Sequence, residues 1–136
     1  MSPRPSRNLD VVCGTLAVMA AGLGPSLSQE AAADAEESLR HGELEPRLLY
    51  NAARILARAA ELSGKEARQQ ARPDLATIRR YQDRALVLLG QAIERTSLEQ
   101  RPGFWREVIR TDHALSSIRR LPEYGRWVVE YEGTAR

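Results

Sequence analysis

Few side chains of this sequence have the chemistry of catalysis or metal binding, and those few stand apart from one another. The histidines are His41 and His113, and the only cysteine is Cys13. A zinc site needs three or four closely spaced ligands, and neither histidine has a second histidine or a cysteine nearby. A reactive thiolate needs a base or a positive charge beside it, whereas Cys13 lies in an apolar run. We therefore expect no metal, no cofactor and no enzymatic activity, with Cys13 packed in a core.

The charged residues predict a solvated surface of mixed sign. The chain carries 20 basic and 18 acidic residues, for a net charge of +2. The acids Asp34, Glu36 and Glu37 fall on a helix face that would lie in water. No aromatic residues interleave with a basic stripe, as a nucleic-acid platform requires. Five arginines are nevertheless candidates for phosphate contact: Arg79, Arg80, Arg84, Arg119 and Arg120. We expect neither a nucleic-acid nor a membrane partner, and a small helical nucleic-acid-binding regulator is one alternative.

The N-terminal region admits two interpretations. Arg4 and Arg7 precede an apolar run over residues 11–24, and residues 26–28 resemble a signal cleavage site. On that interpretation residues 1–28 are a cleaved signal of a secreted or periplasmic helical protein. Asp10 places a carboxylate at the edge of the run, and the run has a helical face of its own. The run is also shorter than the roughly 20 residues of a membrane span. We expect a cytoplasmic protein, with export as the alternative.

The elements that must position these residues are predicted to be helices throughout. Ser26 and Gln29 form a capping-box pattern, Gly42 is a helix stop, Pro46 suits a first helical turn, and Asp112 is an N-cap. Lys65 to Arg72 either prolongs a helix or forms a loop. A strand pattern is missing. The expected helices are Leu9 to Ala21, Leu27 to His41, Pro46 past Leu62, Leu75 to Arg95, Phe104 to Arg110, Ala114 to Arg120 and Glu123 to Tyr131.

Two of the predicted helices carry similar faces of small and aliphatic residues. One face comprises Leu49, Ala52, Ala53 and Leu56, and the other comprises Cys13, Leu16, Ala17 and Ala20. Their first members are 36 residues apart, which is close to the 34-residue period of a helix-turn-helix solenoid. Small residues at such positions allow two helices to approach closely. The chain is therefore expected to stack helices and to present a surface.

On these residues the sequence resembles a tetratricopeptide-repeat protein. Repeat one would span 9–42, repeat two 46–96 with an inserted arm over 61–76, and a C-terminal cap 103–131, between a disordered tail 1–8 and a tail 132–136. Second-helix positions match at Ala31, Ala35 and Ser38, and again at Ala85, Leu89 and Ala92. Repeat one lacks the aromatic residues of the family pattern, and the arm adds about 20 residues to repeat two.

The arrangement of Tyr50 to Ala53, a long arm, Tyr81 to Ile93 and then Phe104 to Tyr124 resembles the last repeat and C-terminal cap of large bacterial proteins of this family. Some of those carry a kinase domain, but this chain has no kinase motif, so kinase activity is not implied. The aromatic residues of the last third would seal the exposed end of the stack, as a terminal repeat must.

The resemblance implies an all-α fold of antiparallel helical hairpins and a non-catalytic role in protein–protein interaction. In this family the polar residues of first helices line a concave groove, where an asparagine can hold a peptide backbone. The matching residue is Asn51, with Arg47 and Arg54 one turn away on either side. We predict that these three contact a protein or peptide partner, although Asn51 bonded to a neighbouring helix or to water is an equal alternative. Self-association, or the rest of a repeat array, would also supply a partner.

Overall fold

The computed structural model describes residues 26–69 and 75–133, and this part of the chain is all-α, without a strand. The predicted helix Leu9 to Ala21, its face around Ala17 and both ends of the chain lie wholly or mostly outside the described residues. The elements, in chain order, are α1 (Leu27–Ser38), α2 (Pro46–Gln69), α3 (Leu75–Arg95), α4 (Arg101–Phe104), a π-helical turn (Trp105–Ile109), a 3-10 helix (His113–Ile118) and α5 (Pro122–Glu132).

Helix α1 begins with the predicted capping box and ends earlier than predicted. Ser26 Oγ accepts a hydrogen bond from the Gln29 N–H at 3.2 Å, and Gln29 Oε1 accepts one from the Ser26 N–H at 2.9 Å. The helix ends at Ser38, not at His41. The N–H groups of Leu39 and the next residue bond to carbonyls three residues back, at 3.2 and 3.1 Å, so the chain tightens into a 3-10 turn there.

Helices α2 and α3 form an antiparallel hairpin that contains most of the core. The predicted face of α2 is buried, with Leu49 and Ala53 fully enclosed. Ala85 and Leu89 of α3 are equally buried and belong to the same cluster. A Cβ on Gly64, near the end of α2, would lie 3.9 Å from Ile78 Cδ1 near the start of α3. Alanines at these positions let the two helices lie close together.

The predicted bounds of α3 agree with the structure, and the described part of the ambiguous stretch after Gly64 is helical. Helix α2 continues to Gln69, so Lys65 to Gln69 prolong it. Residues 61–69, assigned to an inserted arm, are the last turns of α2, and residues 75–76 are the first of α3.

Helix α1 packs against α2 in the opposite direction and is also tied to α3. Ser28 Oγ, at the start of α1, donates to Glu66 Oε1 near the end of α2 at 2.7 Å. The Arg84 guanidinium of α3 donates to both carboxylate oxygens of Glu36 at 2.7 and 3.0 Å. Of the predicted small contact positions on α1, Ala35 is fully buried. Ser38 is exposed because it falls on the last residue of the helix, where its hydroxyl donates to the Ala35 carbonyl.

The C-terminal segments close one side of the hairpin with aromatic rings. The ring of buried Trp105 lies 5.1 Å from that of Tyr124 and 5.7 Å from that of Tyr131, centroid to centroid. The edge of Trp127 faces α3, where a Cβ on Gly90 would approach it to 3.3 Å. The 3-10 helix packs on α2, and Ser117 Oγ donates to the Ala57 carbonyl at 2.7 Å.

Candidate functional site

An open groove of about 880 Å³ lies between the start of α2 and the connection that follows α3. Helix α2 supplies Arg47, Tyr50 and Asn51 to this groove, and the opposite wall comes from residues within 95–108. Arg47 and Asn51 are one turn apart on α2, so their side chains share a face. Within the described residues, the side chain of neither forms a hydrogen bond or an ion pair. We call this the Asn51 groove.

The π-helical turn builds the outer wall of the Asn51 groove. The Arg110 N–H donates to the Trp105 carbonyl, five residues back, at 2.8 Å. This wider turn keeps Trp105 and Ile109 in the core and leaves three successive residues between them outside. Those exposed residues are Arg106, Glu107 and Val108, and they line the groove. Turns of this type occur frequently at functional sites.

Arg101 holds the connection between α3 and the π-helical turn. Its Nε donates to the Thr96 carbonyl and its Nη2 to the Glu94 carbonyl, both at 2.9 Å. The last carbonyls of a helix have no partner within the helix, so this side chain satisfies two acceptors at the end of α3. The exposed residues Ser97, Glu99 and Gln100, which follow this anchored turn, line the groove.

Tyr50 forms the floor of the groove and links it to the cap. Its ring meets Phe104 edge-on, with centroids 5.6 Å apart. Its hydroxyl donates to Asp112 Oδ2. Burial, together with the hydrogen bond to the Asp112 carboxylate and its negative charge, raises the pKa of Tyr50 well above its usual value of 10. Both effects favour the protonated hydroxyl, which is the form that donates to Asp112.

Asp112 collects three donors, and Arg54 is one of them. Arg54 Nε lies 2.5 Å from Asp112 Oδ2, and the Ala114 N–H donates to Oδ1 at 2.9 Å, as the predicted N-cap requires. Burial by itself would raise the pKa of Asp112. The hydrogen bonds from Tyr50, Ala114 and Arg54 and the charge of Arg54 outweigh it, so the pKa lies below the usual 3.8.

The structure brings two of the three predicted partner-binding residues together. Arg47 and Asn51 share the Asn51 groove, whereas Arg54 lies in a second groove, between α1 and α2, and pairs with Asp112. A role for Arg54 in partner binding remains a prediction. Arg95 and Arg106 also line the Asn51 groove, and sequence reasoning missed both. Little in the sequence indicates that these two arginines belong to one groove, because only the fold places an arginine at the end of α3 opposite one in the π-helical turn.

Several other candidate residues have neighbours inside the protein. Arg84 binds Glu36, and Arg79 pairs with Asp83 at 2.9 Å. Arg119 donates to the Arg110 and Asp112 carbonyls. His41 Nε2 lies 2.7 Å from a carboxylate oxygen of Glu37, so these two exposed residues contact each other at the surface. No group of three metal-binding side chains stands together in residues 26–69 and 75–133.

None of the described helices is both long and apolar enough to cross a bilayer. Comparisons of the chain with protein-family models, with curated proteins and with solved structures gave no significant match.

Proposed function

We propose that this chain is a non-catalytic protein–protein interaction module, built from hairpins of tetratricopeptide type, that binds a peptide segment of its partner in the Asn51 groove. The observation that carries the proposal is the pair formed by Arg47 and Asn51. Both are exposed in a groove, and neither uses its side-chain hydrogen-bonding groups within the described structure.

The groove chemistry suits an extended peptide. The Asn51 amide can donate to a peptide carbonyl and accept from a peptide N–H. Phe104 and Val108 offer apolar surface for a side chain. The guanidinium groups of Arg47, Arg95 and Arg106 outnumber the carboxylates of Glu99 and Glu107 along the lining, so a peptide of neutral or negative charge is favoured over a basic one.

The hairpin geometry supports the repeat assignment. Ala53 and Ala85, predicted as points of close helix approach, are both fully buried within one core cluster. The buried rings of the C-terminal segments correspond to the sealed end that a terminal repeat needs. Two hairpins are fewer than the three or so repeats of an independent solenoid, so a further copy or the rest of an array is a reasonable neighbour.

The test begins with site-specific photo-crosslinking in the native host. A crosslinking residue at Val108, in the groove, is compared with one at Val87, a position on α3 outside the groove that is at least as exposed. A partner captured from position 108 and not from 87 is then purified. Its affinity is measured for the wild type and for Arg47→Ala, Asn51→Ala and, as a control outside the groove, Arg120→Ala.

We expect Asn51→Ala and Arg47→Ala each to weaken binding by about tenfold, since each removes hydrogen bonds worth about 1–1.5 kcal/mol. Arg120→Ala should leave the affinity unchanged. An Asn51→Ala variant that binds as tightly as the wild type would refute the proposed contact. Nucleic acid captured in place of protein, with affinity that falls steeply as salt rises, would favour the regulator alternative.

A further inference from the structure

A third groove lies between α3 and α5, and its lining is mainly acidic and apolar. Its volume is about 340 Å³. The lining comprises three carboxylates, one guanidinium and three apolar side chains: Asp83, Glu123, Glu130, Arg126, Leu86, Val87 and Trp127. Val87 is 48% exposed and Trp127 is partly exposed, so the apolar surface is accessible from outside. We call this the Trp127 groove. The net charge of its lining is opposite in sign to that of the Asn51 groove.

The positive charge of Arg126 does not cancel the acidic charge of this groove. Glu123, Arg126 and Glu130 follow one another three and four residues apart along α5, so they share a face. Arg126 nevertheless forms no ion pair with a carboxylate within the described residues. Asp83 pairs with Arg79 at 2.9 Å, but both side chains are about half exposed, and such pairs contribute little. The groove therefore favours a positively charged ligand.

Glu123 provides a second observation, independent of the net charge. Its Oε1 is closed to solvent and has no hydrogen-bond partner within the described residues. A buried oxygen of this kind is rare in folded proteins, because the loss of its hydration costs free energy that a hydrogen bond would recover. The side chain that carries it lines the Trp127 groove. A ligand with N–H donors, held in the groove, would supply the missing partner once the carboxylate rotates toward it.

We propose that the Trp127 groove binds an arginine side chain of a partner protein. A guanidinium is charged at every ordinary pH, offers five N–H donors and stacks on aromatic rings. Glu123 and Glu130 would accept its hydrogen bonds, and the indole of Trp127 would provide the stacking surface. A lysine ammonium is more strongly hydrated and lacks the planar fork, so it fits an apolar-lined groove less well. The volume, at the lower end of the range of about 300–1,000 Å³ for ligand pockets, admits one long side chain rather than a helix.

Capped amino acids test the proposal on the whole chain by nuclear magnetic resonance. N-acetyl-arginine amide is titrated at constant ionic strength, and N-acetyl-citrulline amide is its neutral isostere. The two tryptophans of the chain give separate indole N–H signals, of which Trp127 reports the groove and buried Trp105 is the internal control. We expect arginine to shift the Trp127 signal alone and in a saturable manner. Citrulline should bind about tenfold more weakly, because its hydrogen bonds to the carboxylates involve an uncharged donor, and N-acetyl-lysine amide should fall between the two.

Substitutions that change charge separate a specific site from weak surface attraction. Glu123→Gln and Glu130→Gln should each weaken arginine binding about fivefold, and Arg126→Gln should tighten it about twofold because a like charge is removed. Glu43→Gln, at an exposed position outside the groove, should leave the affinity unchanged. Equal binding of arginine and citrulline, or equal affinities of all four variants, would overturn the proposal. A Trp127 signal that moves with protein concentration alone would also overturn it, since a second copy would then occupy the groove.

Discussion

Three donors from two distant parts of the chain meet on the carboxylate of Asp112. Tyr50 and Arg54 come from α2, and the Ala114 N–H comes from the 3-10 helix. The side chain of Asp112 is only 13% exposed, so these hydrogen bonds are poorly replaced by water if the carboxylate is removed. Asp112 therefore links the C-terminal segments to α2.

At the residue scale, we predict that Asp112→Ala lowers the free energy of unfolding by about 2 kcal/mol at pH 7, the loss of an N-cap and of charge-assisted hydrogen bonds. Because the folded pKa of Asp112 lies below its unfolded value near 3.8, its contribution is fully present above that value. The contribution is lost as the pH falls through the folded pKa. Urea unfolding at pH 7 and pH 2.5 or so should show the difference between variant and wild type shrinking with acid.

Asp34→Ala is the control for this effect, because Asp34 is exposed and has no hydrogen bond or ion pair within the described residues. Its stability should stay within about 0.5 kcal/mol of the wild type. A loss for Asp112→Ala that is the same at both pH values would contradict the role of the ionised carboxylate.

The C-terminal end of α3 is held by a side chain from outside the helix. Arg101 donates to the Glu94 and Thr96 carbonyls through two different nitrogens. We predict that Arg101→Ala costs about 1–2 kcal/mol in the free energy of unfolding. Arg101→Lys should recover less than half of it, because an ammonium cannot reproduce the planar fork of a guanidinium. Hydrogen exchange should show faster opening of the last turn of α3 in both variants, and full rescue by lysine would count against the bidentate arrangement.

Two helical glycines provide a matched pair at the element scale. At Gly64 in α2 an added methyl group would meet its nearest neighbour at 3.6 Å, an ordinary contact, whereas at Gly90 in α3 it would meet the Trp127 ring at 3.3 Å. Alanine favours a helix interior over glycine by up to about 1 kcal/mol. We predict that Gly64→Ala gains most of that amount and that Gly90→Ala gains clearly less, as measured by thermal unfolding. An equal gain at both positions would contradict this, because it would mean that the Trp127 side chain moves aside at no energetic cost.

The helices could be read from the sequence where local signals agree. The apolar stripe from Ile78 to Ile93 predicts the position of α3, and the capping-box residues Ser26 and Gln29 predict the start of α1. The far end of α2 was ambiguous, because a charged, helix-compatible stretch fits a helix or a loop. Its helical state depends partly on contacts with other elements, such as the bond from Ser28 to Glu66.

The site was predictable only in its local part. Arg47 and Asn51 share a face through helical periodicity alone, and the cap at Asp112 acts over two residues. The hydrogen bonds that Tyr50 and Arg54 donate to Asp112 span 62 and 58 residues, a distance at which periodicity carries no information. The π-helical turn escaped prediction as well, since an interval of five residues repeated once leaves no period in the sequence.

At the scale of the whole molecule, the C-terminal segments and the hairpin share one core. Trp105, Ile109 and Leu115 belong to the same buried cluster as the α2–α3 contact. The hydrogen bond from Ser117 to the Ala57 carbonyl adds a polar tie between them. We therefore expect the described part of the chain to unfold in one cooperative step.

Trp105→Ala tests that cooperativity. Removal of this buried indole, whose Nε1 donates to Glu132 Oε2 at 2.8 Å, should cost about 3–5 kcal/mol. The milder Trp105→Phe should cost less, because the ring contacts with Tyr124 and Tyr131 largely remain. Far-UV circular dichroism and the fluorescence of Trp127 should report the same midpoint in each variant. Two separate transitions, of which only one moves, would show that the C-terminal segments fold independently.

The π-helical turn makes the length of this segment adjustable. If one residue among Arg106, Glu107 and Val108 were deleted, the remaining chain could close as an ordinary α-helical turn, with Trp105 and Ile109 still facing inward three positions apart. The core would keep both anchors, while the groove wall would lose one of its three side chains. Single-residue length variation at this point would thus change the side chains that line the groove without redesigning the interior.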